Sequence, residues 1–414
     1  MRSVTVERTA VTLVREPLVR PFGFKGMQIN ELWQTVVKVS SGAHTAVCPS
    51  TQSVLWADAD VFSMYTQDES NMLMHRTTCR ALELINGRTF ERPDRLIKSL
   101  IPELREYADA ITGTKVKETF VLNSLVGVDL ALWSLYAKEN GINSFEGIIP
   151  EEARDAMSRK HSKLAHIPLV SYNVGEKEIR RLLDNGTALM KIKVGKELGW
   201  DKERLVSIHD IAKEYETPLT TDGNVKYYLD ANGRYTPEEL DSVIDFASEK
   251  GFLDRIAVIE EPFAEEDETD VSRFPVAINA DESAHSAADL KNRIALGYRS
   301  VALKPIAKTL SVSFEMAREM HAAGGSCLCA DLTVNPLLAE WNKQFASRIA
   351  PLPGMNAGCV EVNGDENYKN WKEQIKRLPE GLPYSYPRRG AFCCTRRFYA
   401  KSGGLFENNG WDFE

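Results

Sequence analysis

Five charged segments, each closing an apolar run, recur between Met190 and Pro305 and constrain the fold of this chain more than any other feature. They read Met190-Lys191-Ile192-Lys193-Val194-Gly195, Thr221-Asp222-Gly223-Asn224, Val258-Ile259-Glu260-Glu261-Pro262, Ala280-Asp281-Glu282-Ser283 and Val301-Ala302-Leu303-Lys304-Pro305. Lys193, Asp222, Glu260, Asp281 and Lys304 follow one another at intervals of 21 to 38 residues. That is about the length of one strand–helix unit, roughly 30 residues. Charges placed at the ends of successive apolar strands are what a parallel β/α barrel presents at its mouth.

The rest of the pattern agrees. Past Glu151-Glu152-Ala153-Arg154 the chain alternates between strand-like and helix-like stretches. Strands are expected at 167–174, 188–194, 218–222, 255–260, 276–281, 299–304, 326–330 and 358–362. Helices are expected at 177–185, 200–215, 237–250, 286–296, 309–323 and 336–348. Thr236-Pro237-Glu238-Glu239 is a capping box with proline at the first helical position. Gly251 and Gly324 stand where helices stop. The connection after Glu260 reads as short and irregular. An open doubly wound sheet is the competing architecture, but no glycine-rich phosphate fingerprint opens a helix.

Ahead of the barrel, Val4–Val14 and Leu32–Val39 read as strands, and Arg15–Asn30 has loop composition. Helical periodicity follows at Leu82–Leu84, Leu96–Leu104, Ala108–Ile111 and most clearly Leu125–Lys138. Strands followed by helices make residues 1–160 an α+β domain, 161–380 the barrel, and 381–414 a C-terminal segment that returns to the first domain or covers the mouth. At 414 residues, two domains are expected.

A formal charge of −8 argues against non-specific binding to nucleic acid or anionic membranes. The N-terminus lacks a leader-type apolar core and no 18-residue apolar run is apparent, so a cytoplasmic, soluble protein is expected. The seven cysteines are odd in number and scattered, which favours reduced thiols over a disulfide framework. Cys327-Leu328-Cys329 has no second pair at zinc spacing, so buried thiols are expected there.

Asp222, Glu260 and Asp281 would project from three successive strand ends. Three carboxylates in one barrel mouth repel one another unless a cation neutralises them, and oxygen-only ligation suits Mg²⁺. Asn224, Glu261 and Glu282 follow close behind as substrate contacts or supports. Lys191 and Lys193 are two apart on one strand and face the same side. Adjacent ammonium groups disfavour charging of both, which lowers one toward neutrality and makes a general base. With Lys304 arriving from across the barrel, one lysine can remove an α-proton of a metal-bound carboxylate from one face and the other can return it to the opposite face. A structural reading keeps each acid as a helix cap and each lysine as a solvated strand-end charge.

Taken together, Lys191-Ile192-Lys193, Asp222-Gly223-Asn224, Glu260-Glu261-Pro262, Asp281-Glu282-Ser283 and Lys304 resemble the barrel of the enolase superfamily. The closer likeness is to the mandelate racemase and muconate lactonizing enzyme group. The resemblance covers residues of about 165–365 and implies a (β/α)7β TIM-like barrel, an N-terminal α+β capping domain and bound Mg²⁺. It implies Asp222, Glu260 and Asp281 as metal ligands, Lys193 and Lys304 as opposed acid/bases, and Lys191 as the partner of Lys193 and a contact to the substrate carboxylate. Lysines on both the second and sixth strands match the muconate lactonizing pattern.

The chain departs from that pattern in two places. After Lys304 it reads Pro305-Ile306-Ala307-Lys308-Thr309-Leu310-Ser311, without the expected glycine pair. The seventh strand ends Ala330-Asp331-Leu332-Thr333 with no histidine, while His321 falls on the preceding helix as a structural residue. Asp331, with Glu361 and Asn363 at the eighth strand end, is placed to reach substrate or to cap a helix. In this family the capping domain supplies loops that choose the substrate, and here the candidates are Phe24, Lys25 and Trp56.

The expected activity is Mg²⁺-dependent abstraction of the α-proton of a small carboxylate substrate, giving an enediolate. Racemisation or epimerisation comes first, with dehydration of an acid sugar or cycloisomerisation at the same site as alternatives. Two other classes compete: a Schiff-base lyase using Lys193 or Lys304, and a non-catalytic binding protein that retains the barrel. A homo-oligomer is expected.

Overall fold

The computed structural model describes residues 1–24, 27–382 and 384–411. Three antiparallel strands, Arg8–Phe24, Met27–Ser41 and His44–Gln52, open the chain as a twisted sheet. The Arg15–Asn30 stretch, expected as a loop, is instead the paired end of a long hairpin. The backbone partners offered by Met27–Glu31 override its loop composition, and the register shift between Pro17 and Phe22 absorbs the prolines that a regular ladder would reject.

Helices Gln67–Ile85 and Glu118–Glu139 pack on this sheet, and Pro93–Thr112 packs against both of them. Glu118–Glu139 is apolar on all sides and buried from Thr119 to Ala137, the signature of a core helix. It is long and apolar enough to cross a membrane by length and composition, contrary to the sequence expectation, yet its apolar window is wholly buried inside the protein. Gly127 allows its close approach to the sheet, because a Cβ there would meet Ser50 Oγ at 2.9 Å and Val37 Cγ2 at 3.1 Å.

The second body is a closed parallel barrel. Its eight strands are Lys163–His166 continuing as Leu169–Val170, then Leu189–Lys193, Lys226–Asp230, Ile256–Glu260, Ala277–Ala280, Ser300–Leu303, Ser326–Cys329 and Gly358–Val360. Leu169 pairs with Lys191 at one side of the first strand and Leu164 with Gly358 at the other, which closes the ring. Helices Glu176–Asp184, Leu198–Ala212, Pro237–Glu249, Ala287–Ala295, Leu310–Ala322 and Pro336–Ala346 surround it. The connection from Glu261 to Val276 carries no helix, as its composition implied. The capping box at Thr236 and Glu239 is formed.

The third barrel strand corrects the sequence reading. It is Lys226–Asp230, not 218–222, and its register against the second strand, Leu189↔Lys226 through Lys193↔Asp230, brings Asp230 to the level of Lys193. The 218–222 stretch lies upstream of the strand, bridged through Thr220 to Met355 ahead of the eighth strand.

After the barrel, Ala391–Cys393 pairs antiparallel with the first strand. Asn409 Nδ2 then donates to the Val47 carbonyl of the first domain at 2.8 Å, and Lys138 Nζ donates to Asn408 Oδ1 at 2.7 Å. All seven cysteines are free thiols. Trp133 of the long core helix meets Phe314 of the barrel edge-on at 5.8 Å, so aromatic packing joins the two bodies.

Candidate functional site

The carboxyl ends of the second to sixth strands deliver charged side chains into one buried cluster. Lys191 Nζ lies 3.1 Å from Asp230 Oδ2, 3.1 Å from Glu260 Oε1 and 3.7 Å from Glu361 Oε2, with the Tyr228 ring 4.9 Å away. Lys193 Nζ donates to the same Asp230 Oδ2 at 2.5 Å and to Asn232 Oδ1 at 2.7 Å. Both lysines of the Lys-x-Lys pair therefore face inward and share one carboxylate, as the period of two requires. The expected lowering of one ammonium does not occur at Lys191. Burial opposes its charge, but Asp230, Glu260 and Glu361 outweigh that and hold it well above the ordinary lysine value.

Across the cluster, Lys304 pairs with Asp281 Oδ2, and its ammonium stands 4.7 Å from the centroid of the Trp56 ring. Trp56 comes from the first domain, so that domain reaches the mouth. Lys308, fully buried, donates to the backbone carbonyls of Asp281 at 2.7 Å and Ala284 at 2.9 Å, with Asp281 Oδ1 at 3.2 Å. Sequence reasoning noted Lys308 only within the altered loop. Its signal was a second lysine one helical turn beyond Lys304.

Glu260, Asp281 and Glu282 present carboxylate oxygens within 4.8 Å of one another. Burial pushes Glu260 up to about 7 and Glu261 to about 8, whereas for Asp281 burial is outweighed by Lys304 and Lys308, which draw it below the usual carboxylate range. Glu261, held at a positive φ of 38°, accepts from the backbone N–H groups of Asp281 and Ser283 through Oε2, at 2.7 and 3.2 Å. It thereby fixes the fifth strand end. Asn232 ties the two halves together, its Nδ2 donating to Glu282 Oε1 at 3.1 Å.

Several buried oxygens in this cluster have no protein partner: Glu261 Oε1, Glu282 Oε2, Asn279 Oδ1 and Ser283 Oγ. Orphaned oxygens amid clustered acids fit a hard divalent cation, which takes oxygen ligands only. The oxygens of Glu260, Asp281 and Glu282 converge, and Asp230 stands beside them, linked to Glu260 through Lys191, which pairs with both.

Asp222 and Asn224 do not join it. Asp222 lies four residues ahead of the third strand, at the opposite end of the barrel, where it accepts from Lys226 Nζ at 2.7 Å and from Asn224 Nδ2 at 3.1 Å. Asn224 Oδ1 in turn accepts from Arg255 Nη2 at 3.0 Å. The Asp-Gly-Asn turn thus enters the strand instead of leaving it. Asp230 was legible in principle, because Lys226-Tyr227-Tyr228-Leu229-Asp230 is itself an aromatic-rich run ending in an acid.

The seventh and eighth strand ends add a second acidic group. Asp331 accepts from Leu332, Val334 and Asn363 backbone N–H groups, and burial beside Glu361 raises it to about 7. Glu361 accepts from the Asp331 N–H at 3.2 Å, and Asn363 Oδ1 accepts from Thr333 Oγ1 at 2.9 Å. Of the loop candidates, Trp56 is placed at the mouth, Phe24 ends a strand of the first sheet, and Lys25 lies outside the described residues. His321 lies exposed in the last turn of its helix.

No family model matches the chain. A segment of 210 residues, 49% of the chain, is 35% identical to the L-Ala-D/L-Glu epimerase of Thermotoga maritima, and spans 54%, or about half, of that relative's length. Among solved structures, the muconate lactonizing enzyme of Pseudomonas fluorescens complexed with muconolactone superimposes with a TM-score of 0.69 at 16% identity, covering 97% of this chain and 96% of the other. The dipeptide epimerase of Enterococcus faecalis, complexed with Mg and the dipeptide L-Leu-L-Tyr, gives 0.64 at 14% identity over 88% and 92%. By its architecture this chain is a structural relative of the mandelate racemase and muconate lactonizing enzymes and has the fold of the enolase superfamily.

Proposed function

We propose that this chain is a Mg²⁺-dependent racemase or epimerase that removes and returns the proton α to a carboxylate. One observation carries the reading: Lys193 and Lys304 enter the same acidic cluster from the second and sixth strands, one bound to Asp230 and the other to Asp281. A 1,1-proton transfer needs a base and an acid on opposite faces of one carbon, and lysines on two well-separated strands supply both.

Asp230, Glu260 and Asp281, with Glu282 beside them, are the residues that would hold the ion. Bound there, Mg²⁺ would supply positive charge beside the substrate carboxylate and lower the cost of the negative charge that grows on it as the α-proton leaves. Lys191, anchored by three carboxylates, keeps a fixed positive charge at the second strand and turns toward the same acids. Lys193 is less buried than Lys191 and hydrogen-bonded to Asn232, which aims its Nζ. Asp281 and Trp56 hold the Lys304 ammonium from two sides. Trp56 also walls the mouth with an apolar face, which excludes water from the reacting carbon.

The Thermotoga maritima relative and the dipeptide-bound Enterococcus faecalis structure favour a dipeptide or other N-acylated amino acid as substrate. Dehydration would begin with the same proton abstraction, with Lys304 as the acid for the leaving group; ring closure would reach the enediolate by addition of a carboxylate to a double bond and end with a proton delivered to the α-carbon. The test is an incubation of Mg²⁺-loaded protein in D₂O with dipeptides, N-acyl amino acids and sugar acids, read by NMR and mass spectrometry. Deuterium at the α-carbon of recovered or epimerised substrate, abolished by EDTA and in Lys193→Ala, is the expected result. A product lighter by one water transfers the assignment to a dehydratase. Borohydride trapping of a substrate adduct, indifferent to EDTA, replaces it with Schiff-base chemistry.

A further inference from the structure

The turn that follows Lys304 holds a conformation its sequence does not favour. Thr309 has φ 70° and ψ 150°, a region that is open to glycine and closed to almost every other residue, β-branched ones above all. It falls within Pro305–Ser311, the stretch where a glycine pair was expected and none stands. Such a residue persists only where its surroundings fix it from both sides. On the barrel side, the Lys308 and Ala307 N–H groups donate to the Lys304 carbonyl at 2.7 and 2.8 Å, and the Lys308 ammonium is tied to the Asp281 and Ala284 carbonyls. On the far side the hold comes from the other domain. Asp129, buried in the core helix Glu118–Glu139, accepts from the Leu310 N–H at 2.7 Å and the Ser311 N–H at 3.1 Å through Oδ2, and from Ser311 Oγ through Oδ1. Trp133 Nε1, one turn further along that helix, donates to the same Ser311 Oγ at 3.0 Å.

We infer that Asp129 is a positioning residue: from the core of the capping domain it locks the Thr309 turn in its glycine-like conformation and so holds Lys304 and Lys308 against Asp281. The carboxylate meets the first N–H groups of helix Leu310–Ala322, where a negative charge is favoured. Burial raises its carboxyl to about 7, against the Ser311 and Leu310 hydrogen bonds, which favour the charged form. Asp129 bonds Leu310 and Ser311, not Lys304 or Asp281, and acts through the five residues between Lys304 and Leu310. The capping domain thus contributes to the chemical step as well as to enclosure of the mouth. The activity part of this inference rests on the proposed role of Lys304.

The test compares the full-length protein with Asp129→Ala, Thr309→Gly and the double variant. Hydrogen exchange by mass spectrometry should show at least tenfold faster exchange of the Leu310 and Ser311 amides in Asp129→Ala, with the Glu118–Glu139 amides unchanged. Acetic anhydride labelling of Lys304 should rise in Asp129→Ala and return toward the wild-type rate in the double variant, because glycine adopts the turn without the clamp. Turnover in D₂O should fall tenfold or more in kcat with KM within about twofold, and Thr309→Gly should restore part of it. Unchanged exchange at Leu310 and Ser311, acceleration spread evenly through the core helix, or no recovery of Lys304 labelling in the double variant would overturn the inference. If the wild-type protein turns over no substrate, the proposed reaction fails, while exchange and Lys304 labelling still decide the clamp.

Discussion

Asp230 and Asp222 form a matched pair for testing where the cation binds. Both are aspartates near the third strand, eight residues apart, yet one is buried between two lysines at the mouth and the other lies at the opposite end of the barrel with its side chain 37% exposed. Asp230→Asn removes one buried negative charge from the donor set. A carboxylate within coordination reach of a dication contributes several kcal/mol at an effective dielectric of about 20. Relief of repulsion among Glu260, Asp281 and Glu282 returns part of this, leaving about 3 kcal/mol, or roughly a hundredfold in Kd. Mg²⁺ at a hundred times the wild-type Kd stabilises the folded protein by about 2.7 kcal/mol. With about 2.1 cal/mol/K of unfolding entropy per residue, a chain of 414 residues converts this to about 3 °C in Tm. The same Mg²⁺ concentration then shifts Asp230→Asn by only about 0.5 °C, while Asp222→Asn keeps the full shift. Differential scanning fluorimetry with and without Mg²⁺ measures both. A Mg²⁺ response lost in Asp222→Asn and kept in Asp230→Asn would refute the structural assignment and restore the reading from spacing.

Three further outcomes follow from named contacts. Trp56→Ala removes the ring over Lys304, an interaction of about 0.5–2 kcal/mol, so kcat/KM should fall roughly 2- to 30-fold while Trp56→Phe keeps most of it; equal losses in the two variants would show that the ring is not what matters. Lys308→Met strips the Asp281 and Ala284 carbonyls of their buried donor and should cost about 3 kcal/mol in urea denaturation, against near-neutrality if the ammonium were idle. At Glu265, burial raises the carboxyl, but His285, 3.9 Å away, and the hydrogen-bonded Lys117 outweigh it and hold it at about 2. A depressed carboxylate stabilises the fold above its unfolded value and loses that contribution as pH falls toward the folded one. Glu265→Gln should therefore be about 1–2 kcal/mol less stable than wild type at pH 7, after allowance for solvent screening, with the difference vanishing between pH 5 and pH 2.

Much of the architecture was legible in the chain because strand and helix periodicities are local. The alternating barrel pattern, the inward-facing Lys191 and Lys193, the strand-end acids Glu260 and Asp281, and Lys304 all follow from residue order and the period of two. The third strand was not legible. Asp222 and Asp230 divide the interval between Lys193 and Glu260 almost equally well, so spacing cannot choose between them. Only the pairing of Lys226–Asp230 with Leu189–Lys193 decides, and backbone pairing is a non-local event that no window of sequence contains. The hairpin at Arg15–Phe24 escaped for the same reason: loop composition yielded to a partner strand.

Sequence by itself determined that this chain alternates strands and helices, buries a row of acids and lysines at strand ends, and carries an apolar helix from Leu125 to Lys138. Tertiary structure alone decided which aspartate joins the cluster, that Trp56 covers Lys304, and that Asp129 holds the turn at Thr309. These contacts join residues separated by 37, 248 and 181 positions. Their energies depend on distance and burial, which the chain acquires only when the barrel closes and the first domain packs on it.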